Sequence, residues 1–202
     1  MLRKISKFAI VSAISLALLF PATSMAANSY TVVSGDSLWK IALKTKTGVS
    51  ELIEANPQLA NPNLIYPGQQ INVEVNAQYN QEQEVVKLVN AERAKAGLPA
   101  LKHDWELARV AKYKSQDMLD KKYFSHTSPT YGSPFDMMKN FGISYKSAGE
   151  NIAKGQTSAQ KVVNAWMNSS GHRANIMSKD FTHIGVGYVE SGHHWTQMFI
   201  KK

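Results

Sequence analysis

No cysteine occurs among the 202 residues, yet the chain begins like an exported one. That pairing constrains the fold more than any other feature. Arg3, Lys4 and Lys7 precede an apolar run over residues 8–20, and Ser24-Met25-Ala26 places small residues around a cleavage point. This is the layout of a secretory signal. Cleavage is expected after Ala26, which makes residues 1–26 a signal peptide, with Ala27 as the neighbouring alternative. The run is short for a bilayer span, and no later segment is apolar enough for one, so no transmembrane segment is expected after cleavage. A chain without cysteine has no disulfide, thiolate metal site, cysteine nucleophile or lipid-modified cysteine. Its core alone must hold it, and roughly 175 residues remain for that.

The formal net charge of +8 is unevenly spread. The signal carries +3, residues 28–76 carry −1, and residues 77–202 carry +6. A basic exported region suits anionic envelope polymers such as teichoic acid, or phospholipid headgroups. A solvated basic surface without a partner fits the same numbers. Nucleic acid is a poor partner for an exported chain.

The first folded segment is expected over residues 29–75. Tyr30-Thr31-Val32-Val33 reads as a strand by its β-branched content. Asp36 and Ser37 can cap a following helix. Leu38, Ile41 and Ala42 give that helix one apolar stripe. A second helix fits residues 49–55, with Leu52 and Ile53 inward, and Asn56-Pro57 ends it. Gln70-Ile71-Asn72-Val73 alternates as a closing strand. This strand-helix-helix-strand order resembles a lysin motif (LysM), with Gly35-Asp36-Ser37-Leu38-Trp39 and Leu64-Ile65-Tyr66-Pro67-Gly68 as the matching patterns. The resemblance implies binding of N-acetylglucosamine polymers in peptidoglycan or chitin. The binding residues it implies are Gly35, Asp36, Ser37, Pro62, Asn63, Leu64 and Ile65. In the alternative reading, Asp36 and Ser37 only cap the helix. Trp39 is expected in the core.

Residues 76–82 are polar and read as a short joint, followed by a second domain over 83–202. Helices are expected over 82–96, closed by Gly97; over 105–121, capped by Asp104; over 133–141, with Ser133 as cap and Pro134 in the first turn; and over 158–168. Residues 184–189 and 195–200 alternate as paired strands around Glu190-Ser191-Gly192. Helices followed by strands predict an α+β domain with a sheet layered between helices. Tyr123, Phe124, Trp166 and Trp195 are expected in its core.

Four polar patterns punctuate this domain: Phe124-Ser125-His126, Gly149-Glu150-Asn151-Ile152, Gly171-His172-Arg173 and His194-Trp195-Thr196-Gln197. Residues so scattered act together only if the fold gathers them. The four, in this order, resemble the CAP superfamily of cysteine-rich secretory, antigen 5 and pathogenesis-related proteins, in its cysteine-free bacterial branch. The resemblance implies an α-β-α sandwich with a cleft of His and Glu residues, matched by His126, Glu150 and His194. The family's second Glu falls at Ser169 here, and His172 one turn later is placed to fill the same space.

Three imidazoles and a carboxylate would suit an open Zn site. They would equally suit general acid-base work with Glu150 orienting an imidazole. They could also satisfy one another in a plain polar cleft. No phosphate loop, serine nucleophile elbow or His-Glu-x-x-His helix is present. The expected function is an exported wall protein whose lysin motif tethers a ligand-, metal- or protein-binding CAP domain. The alternatives are a peptidoglycan-remodelling or proteolytic hydrolase using the cleft, and a structural component of a spore or cell envelope.

Overall fold

The computed structural model describes residues 29–73 and 77–202. The expected signal, its cleavage point and the boundary at residues 74–76 lie outside the described residues.

In the first segment, β1 (Ser29–Thr31) pairs antiparallel with β2 (Gln70–Asn72), with Tyr30 opposite Ile71. Between them run α1 (Leu38–Thr45) and α2 (Val49–Glu54). Ser37 caps α1 by accepting the amide of Lys40 at 3.3 Å. Val32, Leu38, Ile41, Leu52 and Ile71 form the small core. Asn56, 1 % exposed, fastens the end of α2 to β2. Its Nδ2 donates to the carbonyls of Leu52 and Asn72, and its Oδ1 accepts the Asn72 amide. Trp39, expected in the core, is 62 % exposed. The inward positions of α1 are taken by Leu38, Ile41 and Ala42, and one residue beyond Leu38 is a turn of about 100° away from them. By the same geometry Leu52 faces in and Ile53 faces out.

The second segment starts with α3 (Ala77–Lys95), so the described residues of the expected joint are already helical. Then follow β3 (Lys102–His103), α4 (Trp105–Asp120), α5 (Pro134–Asn140) and β4 (Ser147–Lys154). The chain closes with α6 (Ala159–Met167), α7 (Ser170–Ile176), β5 (His183–Val189) and β6 (His194–Lys201). The sheet order is β3-β5-β6-β4, with β3 and β5 parallel and the other pairs antiparallel. The expected helix caps are present. Asp104 accepts the Leu107 amide at 3.0 Å, and Ser133 forms a capping box with Asp136. The short elements β3 and α7 were not foreseen.

Period-two alternation along β6 divides the domain into layers. Trp195 and Phe199 pack with Val85, Val89, Val162 and Trp166 of α3 and α6. Met198 and Ile200 pack with Leu107, Val110, Met137 and Met138 of α4 and α5. A mixed α+β sandwich results, with helices on both faces. Gly185 and Gly187 explain how α4 lies so close to β5, since a Cβ at either would collide with the α4 backbone. Among the described residues, no strand pairs with the outer edge of β5 beyond Ile184. There Glu82 accepts the Tyr188 amide at 2.7 Å and Lys112 Nζ donates to the Tyr188 carbonyl, which blunts the edge.

Candidate functional site

β4 is the other edge of the sheet, and the site is built around its free side. Glu150 lies opposite Met198 and so faces α4; Asn151 lies opposite Gln197 and faces α6 and α7. The loop after α4 carries His126 to Glu150, with Nδ1 at 2.7 Å from Oε1. The carboxylate is buried, while half of the imidazole is open to solvent. Burial pushes the Glu150 carboxyl above its ordinary value, against the His126 hydrogen bond and the nearby Lys114 charge. The hydrogen bond to Glu150 pushes the His126 imidazole up. Oε2 of Glu150 is buried, with no hydrogen-bond partner among the described residues.

Two charged residues inside the apolar stripe of α4 hold the His126 loop. Lys114, 1 % exposed, donates from Nζ to the His126 carbonyl at 2.6 Å. Asp117 accepts three hydroxyls: Tyr123 at 2.6 Å, Ser128 at 2.7 Å and Thr130 at 2.6 Å. Burial pushes the Asp117 carboxyl up, but the three hydroxyls outweigh burial and hold it below its ordinary range. Neither residue was singled out from the sequence. The signal was present, however. Lys114 and Asp117 are spaced i, i+3 between the apolar positions Ala111 and Met118. Charges on an inward stripe have to be paired.

On the other face an amide network holds α7. Asn151 Nδ2 donates to the His172 carbonyl and to Gln197 Oε1, at 3.0 and 2.9 Å. Asn175 Nδ2 donates to the Glu150 carbonyl and to Asn151 Oδ1, at 3.1 and 2.8 Å. His172 Nδ1 lies 2.9 Å from Ser169 Oγ. Ser169, at the position where the resemblance places a second Glu, thus pairs with His172. Burial and the neighbouring His126 push the His172 imidazole down. His126 and His172 line one cleft of about 520 Å³ with Phe124, Lys154, Trp166 and Ser169. Phe124, expected in the core, is half exposed in the cleft wall, whereas Trp166 and Trp195 are buried.

The four expected residues do not converge. His194 opens β6 opposite Lys154, four residues from Met198 and so about 13 Å along the strand from the level of Glu150. Its ring is 2 % exposed beside the hairpin turn, with Nδ1 at 3.4 Å from the Ser191 carbonyl. Burial pushes it below its ordinary value. Its neighbour His193 lies in the turn with φ of 49° and bonds the Tyr188 hydroxyl at 2.7 Å. The expected Zn set of His126, Glu150, His172 and His194 is thus not assembled. Among the described residues, no group of three or more His, Asp or Glu side chains is arranged to hold a metal ion. His126 and Glu150 remain a coupled imidazole-carboxylate pair, able to donate or accept a proton at the mouth of a cleft.

In the first segment, the side chains of the expected sugar-binding turn are already engaged. Asp36 accepts the Tyr30 hydroxyl, the Val33 amide and Lys44 Nζ. Lys44 above all holds its carboxyl down at about 2. Ser37 is occupied as the α1 cap. What this turn can offer a ligand is backbone, with Gly35 at φ +85°. Opposite, Asn63 and Leu64 sit in a turn closed by Asn61, Leu64 is half exposed, and Ile65 packs on the core with Pro62 partly covered.

Comparison with known proteins gives two domains. The LysM domain model matches residues 30–74, and the cysteine-rich secretory protein (CAP) family model matches residues 86–200. An uncharacterized Bacillus subtilis protein, YkwD, is 68 % identical over 121 residues, which are 60 % of this chain and 47 % of YkwD. The endolysin of Bacillus phage B103 is 52 % identical over 46 residues, 23 % of this chain and 18 % of the endolysin. The crystal structure of an extracellular protein containing an SCP domain from Bacillus anthracis is 34 % identical, with a TM-score of 0.60, over 67 % of this chain and 47 % of that one. The chain spans about half or less of the length of the curated relatives it matches first. The second domain, matched over more than half of the chain, places the protein in the cysteine-rich secretory protein family, and it carries a LysM domain before that one.

Proposed function

We propose that this is an exported, wall-associated binding protein whose LysM domain holds N-acetylglucosamine polymers of peptidoglycan and whose CAP cleft binds a second ligand of the envelope. The LysM match, and the same domain in a phage endolysin and in a probable staphylococcal autolysin, support the tether. The secretory layout of residues 1–26 and the extracellular Bacillus anthracis relative support export. The +6 charge of residues 77–202 favours residence among anionic envelope polymers.

One observation carries the cleft reading: a buried carboxylate set 2.7 Å behind a half-exposed imidazole in an open cleft. Isolated burial of a carboxylate is costly, so a pair held this carefully at a cleft mouth marks a site. A second reading, hydrolysis by this pair acting as acid and base, rests on the same geometry. Ser169 in place of a second carboxylate argues against it.

The test is retention of the mature protein on purified peptidoglycan and on chitin, with release of soluble fragments followed in parallel. The expected result is pelleting on both without release, with His126→Ala weakening retention on peptidoglycan and leaving chitin unchanged. Unchanged retention on peptidoglycan would remove the cleft from wall binding. Fragment release that Glu150→Gln abolishes would make the protein an enzyme.

A further inference from the structure

We propose that the cleft beside β4 takes the free carboxylate end of a short peptide with small apolar side chains, the chemistry of the stem peptides carried by peptidoglycan glycan. This rests on the reading that the cleft binds a wall ligand.

Among the described residues no Asp or Glu lines the cleft; its ionisable walls are Lys154, His126 and His172. Glu150 sits behind His126, and its effect on the cleft follows from counting protons. A buried carboxylate beside an imidazole is least costly when the pair is neutral overall. That state has two arrangements: carboxylate with imidazolium, or carboxylic acid with neutral imidazole. In both, one proton lies between Nδ1 and Oε1 and the other sits on Nε2. The pair therefore keeps an N–H donor on the imidazole nitrogen that Glu150 does not occupy.

Lys154 supplies the one full positive charge of the cleft wall, and the Ser125 and Ser169 hydroxyls stand in the same wall. One fixed cation with neutral donors matches a single carboxylate. A polyphosphate would call for several cations. The rest of the wall is mostly apolar, formed by Phe124, Ile152, Ala153, Ala165 and Trp166, with the Gln156 amide as its other polar group. Phe124 is 50 % exposed there, an apolar face free to cover small side chains. A cleft of about 520 Å³ admits a di- or tripeptide and little more. The two domains would then read two parts of one polymer, LysM the sugar and CAP the peptide, which raises retention by effective concentration.

The test is calorimetric titration of the mature protein with diacetyl-Lys-D-Ala-D-Ala, with its C-terminal amide, and with inorganic phosphate and glycerol 3-phosphate. The free acid is expected to bind about tenfold or more tightly than the amide, because one charge-assisted contact is lost in the amide. Lys154→Gln, a change at an exposed residue, should bring the acid down to the level of the amide and leave the amide unchanged. Equal binding of acid and amide, no effect of Lys154→Gln, or binding of either phosphate as tight as the acid would overturn the proposal. If no peptide binds while His126→Ala still weakens retention on peptidoglycan, the peptide assignment alone falls. If both fail, the wall-ligand reading falls with it.

Discussion

Asp117 is where the CAP cleft is most vulnerable, and Asp117→Asn measures how. The side chain keeps its size but turns one acceptor oxygen into an NH₂ donor. Oδ2 accepts both Tyr123 and Ser128, and Oδ1 accepts Thr130. Whichever way the amide turns, one or two hydroxyls meet a donor, and the rest lose the charge that strengthened their bonds. Hydrogen bonds to a charged group contribute about 1.5–3 kcal/mol each. Buried Lys114 also loses a neighbouring charge. The expected loss is therefore about 3–5 kcal/mol, against about 1–2 kcal/mol for Thr130→Val, which removes one bond. Urea unfolding followed by near-UV circular dichroism gives both values. The loop from α4 to α5 also carries His126, so binding in the cleft should weaken even where the variant stays folded. A loss below about 1 kcal/mol for Asp117→Asn would refute the clamp, as would an equal loss in both variants.

Arg93 is 1 % exposed and donates to the carbonyls of Pro99, Ile176 and Ser178; Arg93→Ala should cost about 3–5 kcal/mol in urea unfolding, and Arg93→Lys should recover only part of it, since one ammonium cannot reach all three. Gly187→Ala places a Cβ against the α4 backbone, so a loss of several kcal/mol in thermal melts is expected, against a near-neutral Gly171→Ala, where nothing lies within 4 Å. Burial raises the Glu82 carboxyl from 4.5 to about 7. The folded state thus prefers the protonated form, and stability falls as pH rises from about 4.5 to 7, by at most about 3 kcal/mol. Glu82→Gln should flatten that slope, and a difference from wild type that does not change between pH 5 and pH 7.5 would contradict it. The Glu150 hydrogen bond holds the His126 imidazole above 6.5, so its stabilising effect is full below pH 6.5 and fades as pH rises through the raised value; Glu150→Gln should lower the NMR titration midpoint of His126, and an unmoved midpoint would break the pair's coupling.

Local chemistry made much of this fold legible. Ser133 with Pro134 and Asp136 announces a helix start, and it forms one, because a capping box needs only residues three apart. The alternation over 184–189 and 195–200 gives paired strands because both faces of that sheet are covered. The short pieces were not legible. β3 is two residues long and exists only by pairing with β5, and α7 is held to a distant strand, its His172 carbonyl by Asn151 and its own Asn175 by the Glu150 carbonyl and Asn151 Oδ1. Trp39 shows the limit of hydrophobicity as a guide, since position on the helix decided its exposure. In the site, the patterns around His126 and His172 mark two imidazoles that line one cleft, with Glu150 bonded behind His126. His194 did not follow, because sharing a face of a sheet does not shorten a four-residue offset along it.

The way the cleft is held also answers the constraint of a chain without cysteine. An edge strand offers unpaired backbone groups, which is an aggregation hazard. On β4 two of these are taken by side chains, the Glu150 carbonyl by Asn175 and the Ile152 carbonyl by Trp166 Nε1. The same contacts draw α6 and α7 against the strand and carry His172 to the cleft. Across the strand, Lys114 and Asp117 draw the His126 loop in. Each imidazole is thus positioned by buried side-chain bonds to backbone and hydroxyl groups, where a disulfide or a metal could have served. Such bonds leave the His126 imidazole half open to the cleft while fixing its neighbours. Changes that spare His126 itself but loosen Asp117 or Asn151 should therefore harm binding through geometry, with the chemistry of the imidazole intact.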